Sequence, residues 1–135
     1  MATFNKFNSF VEYLADGINL RSDTLKVALT DTAPSATNSK LSDIIEIDYT
    51  YCSDRTLSVI SSAQSNGIYK LIVANKTITA SGGSVGPFRY IVIYDDTHLD
   101  KPLICWYDYG RSITLNDGES LTIDFDPTNG LLQLT

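Results

Sequence analysis

The beginning of the chain repeats apolar residues with the spacing of an α-helix. These residues are Phe4, Phe7, Phe10, Val11 and Leu14. Steps of three and four residues place them on one stripe of a helix that has 3.6 residues per turn. Thr3 offers a hydroxyl that can cap the first turn, and Gly17 is suited to end the helix in the left-handed conformation. The pattern predicts an amphipathic helix over residues 3–16 whose stripe packs on the rest of the protein.

From residue 24 onwards, short runs alternate apolar and polar residues as β-strands do. The predicted strands are 24–30, 44–49, 55–62, 68–74, 77–80, 88–94, 103–109, 112–115, 119–125 and 131–134. Asn66-Gly67 predicts a tight hairpin, and residues 116–118 predict a three-residue turn that sets Ile113 opposite Leu121. Short, regularly spaced strands indicate an antiparallel β-sandwich, or a jelly-roll-like fold, over residues 24–135 of a single 135-residue domain.

The predicted hairpin over residues 88–109 is apolar on both of its faces. A strand of a sandwich normally exposes one face to water, so something has to cover the outer face. The predicted helix has a single apolar stripe, which shields only a few residues. Part of the aromatic face is therefore predicted to lie in a subunit contact. The residues assigned to this contact are Tyr90, Val92, Tyr94, Trp106, Tyr107, Tyr109 and Arg111.

Composition and charge exclude several classes of protein and of binding partner. Apolar residues make up 43% of the chain, which is too many for a disordered protein. Ten basic and sixteen acidic side chains give a net charge of −6, the wrong sign for holding a nucleic-acid backbone or an anionic membrane. No apolar run approaches the ~20 residues that cross a bilayer, and no secretory signal opens the chain. We expect neither free nucleic acid nor membrane as a partner, and no export by the secretory route.

No arrangement of residues predicts an active site, a metal site or a cofactor. The single histidine, His98, lies in a polar loop where solvent exposure explains it. Residues 124–130 are similar to a calcium loop, but their glycine is seventh instead of sixth and no glutamate is in register. Cys52 and Cys105 lack CxxC spacing and histidine neighbours, and Cys105 is predicted to be a buried free thiol. The prediction is a non-enzymatic protein.

Residues 106–111 form the one cluster with the character of a binding site. Trp, Tyr and Arg dominate the energetics of protein interfaces, so a subunit contact is one interpretation. Aromatic rings beside an aspartate and an arginine also suit a sugar, and plain core packing is the third interpretation. The residues by themselves leave these alternatives open.

Several segments resemble a family of small virion proteins of tailed bacteriophages. They are Phe4-Asn5-Lys6-Phe7 with the apolar positions after it, Ser22–Thr30 followed by Thr32-Ala33-Pro34, Ala80–Tyr90, Trp106-Tyr107-Asp108-Tyr109-Gly110, and Asp117-Gly118-Glu119. Together they extend over most of the chain, in order. Residues 47–53 depart from the family pattern, being shorter and less rich in glycine.

The resemblance implies a virion structural protein. Within that class we expect a capsid decoration, or cement, protein that is assembled in the host cytoplasm and sits on the capsid exterior. Its partners would be the major capsid protein and further copies of itself, as a dimer or trimer. The alternative is a tail-fibre or host-recognition module that binds a surface glycan, because the resemblance does not distinguish a protein of the phage head from a protein of the tail. A phage-associated hydrolase is a third class.

Overall fold

The structure, a computed structural model, describes residues 3–135. Its elements are β1 (Asn5–Lys6), α1 (Phe10–Asp16), β2 (Leu25–Thr30), a 3₁₀-helix (Leu41–Asp43), β3 (Val59–Ser65), β4 (Ile68–Val73), β5 (Lys76–Thr79), β6 (Val85–Asp95), β7 (Leu103–Leu115), β8 (Ser120–Ile123) and β9 (Leu132–Leu134). The α-helix has seven residues, and none of the helices between residues 3 and 135 has the length and apolar character to cross a bilayer.

The strands form three antiparallel sheets. The largest has the strand order β1-β7-β6-β2, the second has the order β3-β4-β9, and the third pairs β5 with β8. Alternate residues of the largest sheet, including Val27, Ile93 and Cys105, pack in one buried cluster with Leu71 of β4 and Ile78 of β5. We call this the main core. The prediction of a mainly antiparallel, sandwich-like β fold with one helix near the N-terminus is confirmed.

A second buried cluster lies on the opposite, outer face of the largest sheet. Its members are Phe7, Ala28, Ile44, Val92, Tyr94 and Leu103. Phe7 follows β1 and Ile44 follows the 3₁₀-helix, so two segments outside the central strands supply the cover. This outer cluster explains how the largest sheet is apolar on both faces: the chain covers much of the second face itself.

The predicted helix over residues 3–16 is wrong in its first half. The helix begins at Phe10, because Asn5–Lys6 forms a strand on the edge of β7. That pairing satisfies backbone groups of β7 that would otherwise have no partner. Thr3 therefore caps no helix. The helix ends at Gly17 as expected, but Gly17 has φ −165°, which is extended and not left-handed.

The five residues of the predicted stripe lie in different environments. Phe7 is buried in the outer cluster, and Phe10 is buried in the main core. Leu14 packs against the main core, whereas Phe4 is 37% exposed and Val11 is 54% exposed. Only Phe10 and Leu14 therefore act as the helix stripe was expected to act.

Two strand predictions are also wrong. Residues 44–49 join no sheet, since Ile44 turns inward to cover the outer face. The hairpin that was to set Ile113 opposite Leu121 does not form. Ile113 pairs with Phe88 of β6, and Leu121 pairs with Ile78 of β5, so the chain leaves one sheet for another at the turn after β7.

The hairpin predicted from Asn66-Gly67 is confirmed. Ser65 pairs with Ile68, which leaves a two-residue loop. Asn66 has φ 53° and Gly67 has φ 80°, the positive values that a tight turn between twisted strands requires. This element forms where the sequence places it because its signal is entirely local.

Cys105 is a free, buried thiol, as predicted. Its burial in the main core raises the pKa of the thiol, so the group stays protonated and unreactive at neutral pH. Cys52 is also free, and it is half-buried. Cys105 is part of the main core, and Cys52 packs against it.

Candidate interaction surface

Two of the residues assigned to a contact are buried inside the chain. Val92 is 0% exposed and Tyr94 is 2% exposed, because Phe7 and Ile44 pack with them in the outer cluster, beside Leu103 of the neighbouring strand. They have no surface left to offer to a partner. Their assignment to an interface is therefore corrected: they hold the N-terminal segment and the segment after the 3₁₀-helix on the sheet.

The other half of the outer face remains partly open. Trp106 is half-buried, with its ring 4.7 Å from that of Phe7 and tilted by 47°. Beside it, Tyr90 pairs with Asp108 across the strands. Asp108 accepts hydrogen bonds from Arg89 Nε at 2.9 Å and from Arg89 Nη2 at 3.1 Å. We call Tyr90, Trp106, Arg89 and Asp108 the outer-face patch.

The ion pair of the outer-face patch is held in one geometry. The Arg89 guanidinium, bound through two nitrogens, lowers the pKa of Asp108, and the Gly110 N–H adds a hydrogen bond of 2.8 Å. The guanidinium carbon of Arg89 also lies 5.5 Å from the centre of the Tyr90 ring. Arg89 and Asp108 were missed in the sequence, although opposite charges on the two strands of a predicted hairpin were a usable signal.

A bulge projects from β7 next to this patch. Tyr90 pairs with Asp108 and Phe88 pairs with Ile113, so six residues of β7 face three of β6. The additional residues lie in the range 109–112. Within it, Gly110 has φ 100°, a value that glycine adopts without strain. The bulge presents Tyr109 and Arg111, both assigned to a contact, on the exposed surface.

The Ser112 hydroxyl ties the base of the bulge to the loop after β2. Its Oγ donates to Asp31 Oδ1 at 2.5 Å. Arg111 forms no salt bridge with any residue in the range 3–135. The bulge is thus anchored at one end and offers an unpaired guanidinium at its tip.

Tyr107 lies on the other side of the sheet. Its ring packs against the main core and makes an edge-to-face contact with Phe4, with 6.1 Å between ring centres. Trp106 and Tyr107 therefore point to opposite faces, as neighbours in a strand do. The sequence cluster 106–111 does not form one binding platform, and the interpretation of a sugar held jointly by Trp106 and Tyr107 is corrected.

The single histidine is a structural residue. His98 is half-buried, its ring contacts that of Tyr13 edge to face at 5.3 Å, and its Nδ1 accepts the Asp100 N–H at 3.0 Å. The expected full exposure is therefore corrected. These contacts place the ring between α1 and the loop after β6.

The segment that is similar to a calcium loop is an ordinary turn. Asp126 accepts hydrogen bonds from the Thr128 N–H at 2.8 Å and the Asn129 N–H at 2.9 Å, and these bonds lower the pKa of its carboxyl. Across the described part of the chain, no three histidine, cysteine, aspartate or glutamate side chains converge as a metal site would require.

The surface as a whole combines an aromatic and charged patch with a projecting bulge. Trp, Tyr and Arg are the side chains that give the largest binding energies when an interface desolvates them. Comparison of the chain with protein-family models, with curated proteins and with solved structures gave no match.

Proposed function

We propose that the protein is a non-enzymatic structural protein of a tailed-bacteriophage virion, and specifically a capsid decoration protein. It would bind over joints between major capsid proteins on the exterior of the head and stabilise them. The observation that carries the proposal is the outer-face patch with its bulge. The resemblance of several sequence segments to small phage virion proteins supports it. A jelly-roll-like sandwich suits this role because it offers a broad, rigid sheet face.

A decoration protein needs contact area and not a reaction centre. Specific interfaces bury roughly 800 Å² on each partner, with a desolvated centre and a polar rim. Trp106 and Tyr90 have the character of the centre, and the Arg89–Asp108 pair has the character of the rim. The net charge of −6 favours docking on a basic protein surface.

The titratable groups support a binding role. Asp95 is the carboxyl whose pKa rises furthest, to about 6, because it is desolvated by burial. Its side chain is 0% exposed, so it has no access to a substrate. A general acid needs both a raised pKa and contact with the reacting group.

Copy number in purified virions tests the proposal. A protein that follows the symmetry of the shell is expected at on the order of hundreds of copies per particle. Quantitative mass spectrometry against the major capsid protein measures this ratio. A ratio typical of a tail tip, at a handful of copies, would contradict the capsid location, and absence from particles would contradict the virion role.

Self-association through the outer-face patch is the second expectation. Trp106→Ala is expected to raise the dissociation constant of the homo-oligomer at least about tenfold, because the variant removes the largest aromatic surface of the patch. Sedimentation velocity over a range of concentrations measures it. Tyr51→Ala removes an aromatic residue that is 46% exposed elsewhere, and it should leave association unchanged.

Thermal unfolding of the same samples separates association from stability, since Trp106 also contacts Phe7. A wild-type chain that stays monomeric at the highest concentrations would rule out self-association. Equal association of the wild type and Trp106→Ala would place the contact elsewhere.

A further inference from the structure

Two clefts open side by side at the edge of the sandwich. Beyond Trp106, β7 has no strand partner on the side of β1 among the residues that the structure describes. The first cleft, of about 180 Å³, lies between Phe4 and the segment 123–131. The second, of about 210 Å³, lies between β7 and β8 and is lined by Tyr109. Tyr107 lines both clefts.

The walls of the clefts present aromatic surface to solvent. Phe4 is 37% exposed and Tyr109 is 39% exposed, and each lines one cleft. Burial raises the pKa of Tyr107, and its hydroxyl is paired with the buried Cys105 thiol, so Tyr107 offers its ring and not a free hydroxyl to the clefts. Each cleft therefore joins an exposed aromatic side chain to the shared ring of Tyr107.

A carboxylate common to both clefts is held in place by a neighbouring side chain. Asp124 Oδ1 accepts a hydrogen bond from Asn75 Nδ2 at 3.1 Å. The Oδ1 of the same Asn75 accepts the Phe125 N–H at 2.8 Å, which fixes the amide. Asp124 Oδ2 receives no hydrogen bond from any residue between 3 and 135, so one oxygen remains open as an acceptor.

We propose that these clefts bind a neutral saccharide, with one pyranose ring on each side of Tyr107. A sugar ring has an apolar C–H face that stacks on an aromatic ring, and it has hydroxyls that donate to a carboxylate. Asp124 supplies that acceptor to both rings. Together the two clefts reach the lower end of the roughly 300–1,000 Å³ that ligand sites occupy.

The charged residues that line the clefts determine which saccharides are favoured. No lysine or arginine lines either cleft, whereas Asp124 lines both and Asp126 lines the first. A carboxylated or phosphorylated sugar would meet two carboxylates and no cation, which opposes binding. The site is therefore expected to prefer neutral over sialylated oligosaccharides.

The same residues favour binding without hydrolysis. Glycosidases need a carboxylic acid with a raised pKa beside a carboxylate. The other carboxyl among the residues lining the clefts, Asp126, has a lowered pKa because its oxygens accept the backbone N–H groups of the turn. It is charged at neutral pH and has no proton to give.

The clefts contain none of the four residues of the outer-face patch, although they share Tyr109 with the bulge, and the inference does not depend on the capsid location. A chain could be abundant in virions and bind no sugar, or bind a sugar without being on the head. The copy-number test of the proposed function and the saccharide-binding test of this inference can therefore fail independently of each other.

An array of defined neutral and sialylated oligosaccharides tests the proposal on the full chain. We expect binding to neutral glycans, confirmed by NMR titration with the best neutral disaccharide. Asp124→Asn is expected to weaken binding at least about tenfold, since a charge-assisted acceptor is lost. Tyr109→Ala is expected to weaken it by a similar factor. Both residues are exposed, so both variants should fold with unchanged melting temperatures.

A matched control lies outside the clefts. Tyr51→Ala removes an exposed aromatic side chain that lines neither cleft and should bind the disaccharide as the wild type does. Failure of the array and of titration up to about 10 mM would overturn the proposal. So would a preference for sialylated glycans, or equal binding by the wild type and Asp124→Asn. Capture of a peptide strand in the clefts instead of a glycan would also overturn it.

Discussion

Replacing Phe7 by alanine is expected to lower the free energy of unfolding by about 3–5 kcal/mol. Phe7 is 0% exposed and fills the outer cluster between Ile44, Val92 and Tyr94. Its loss removes buried apolar area and leaves a cavity that rigid strands cannot collapse to fill. A domain of this size has a stability of about 5–15 kcal/mol, so a loss of this magnitude brings the variant close to unfolding.

Urea unfolding of the variant and the wild type measures the loss in the free energy of unfolding. The comparison requires that this free energy depends on urea concentration with the same slope in both proteins. Phe4→Ala is the control, because Phe4 is the same residue type three positions earlier and is 37% exposed. Val11→Ala should also change little, since Val11 is 54% exposed. A loss below about 1 kcal/mol for Phe7→Ala would mean that Phe7 does not hold the outer cluster together. Equal losses for Phe7 and Val11 would restore the single helix stripe that the sequence suggested.

The reason the sequence misplaced Phe7 is physical. A spacing of three or four residues fits a helix, and nothing within residues 3–16 competes with that interpretation. The competing demand comes from a distant part of the chain, where β7 has an open edge and an apolar outer face. Residues 5–7 meet both demands when they are extended, because Asn5–Lys6 pairs with the edge and Phe7 covers the face. Tertiary context therefore overrides a local pattern.

Elements whose signals are local were predictable. The Asn66-Gly67 hairpin forms as expected because two residues set its backbone conformation. The turn before β8 has equally good turn residues, but the partner of Leu121 is decided by which sheet is within reach. Ile78 and Ile113 are both suitable apolar partners, and only the folded chain selects Ile78.

The candidate site divides in the same way. The sequence shows that residues 106–111 are rich in aromatic groups, and alternation along a strand predicts that Trp106 and Tyr107 point apart. It does not show that Ile44 covers Val92 while Trp106 stays half-open. The two clefts also depend on Phe4 and Asp124, which lie more than a hundred residues apart in the chain. Residues brought together only by the fold leave no pattern along the sequence.

Asp95→Asn is expected to stabilise the protein at neutral pH, by up to about 3 kcal/mol. The Asp95 side chain is 0% exposed. Its Oδ1 accepts the Thr97 and His98 N–H groups at 2.9 and 3.0 Å, and its buried Oδ2 has no partner within residues 3–135. Desolvation, and then the neighbouring Asp23, raise the pKa of Asp95 to about 6, whereas an unfolded chain has a value near 3.8.

The pH dependence follows from which state holds the proton. Between about pH 4 and pH 6 the folded chain keeps the proton on Asp95 and the unfolded chain has released it, so raising the pH lowers stability in this window. Above about pH 6 Asp95 is charged in both the folded and the unfolded chain, so the full loss of stability is present. Asparagine keeps the Oδ1 acceptor and places a neutral amide where Oδ2 stood. The stability difference between Asp95→Asn and the wild type should therefore be small at pH 4 and should grow up to pH 7.

Asp126→Asn gives a control of opposite sign. Its pKa is lowered by the backbone N–H groups of the turn, so its contribution to stability is present at neutral pH and is lost as the pH falls through the lowered pKa. Comparing each variant with the wild type by urea unfolding at each pH cancels the titration of groups that all three chains share. If Asp95→Asn is less stable than the wild type at pH 7, the Thr97 and His98 N–H groups require a full negative charge. If the stability difference is flat from pH 4 to pH 7, Asp95 does not hold a proton in the folded state. The flat difference would require the carboxylate to be better solvated than its burial implies, with water entering the loop between β6 and β7.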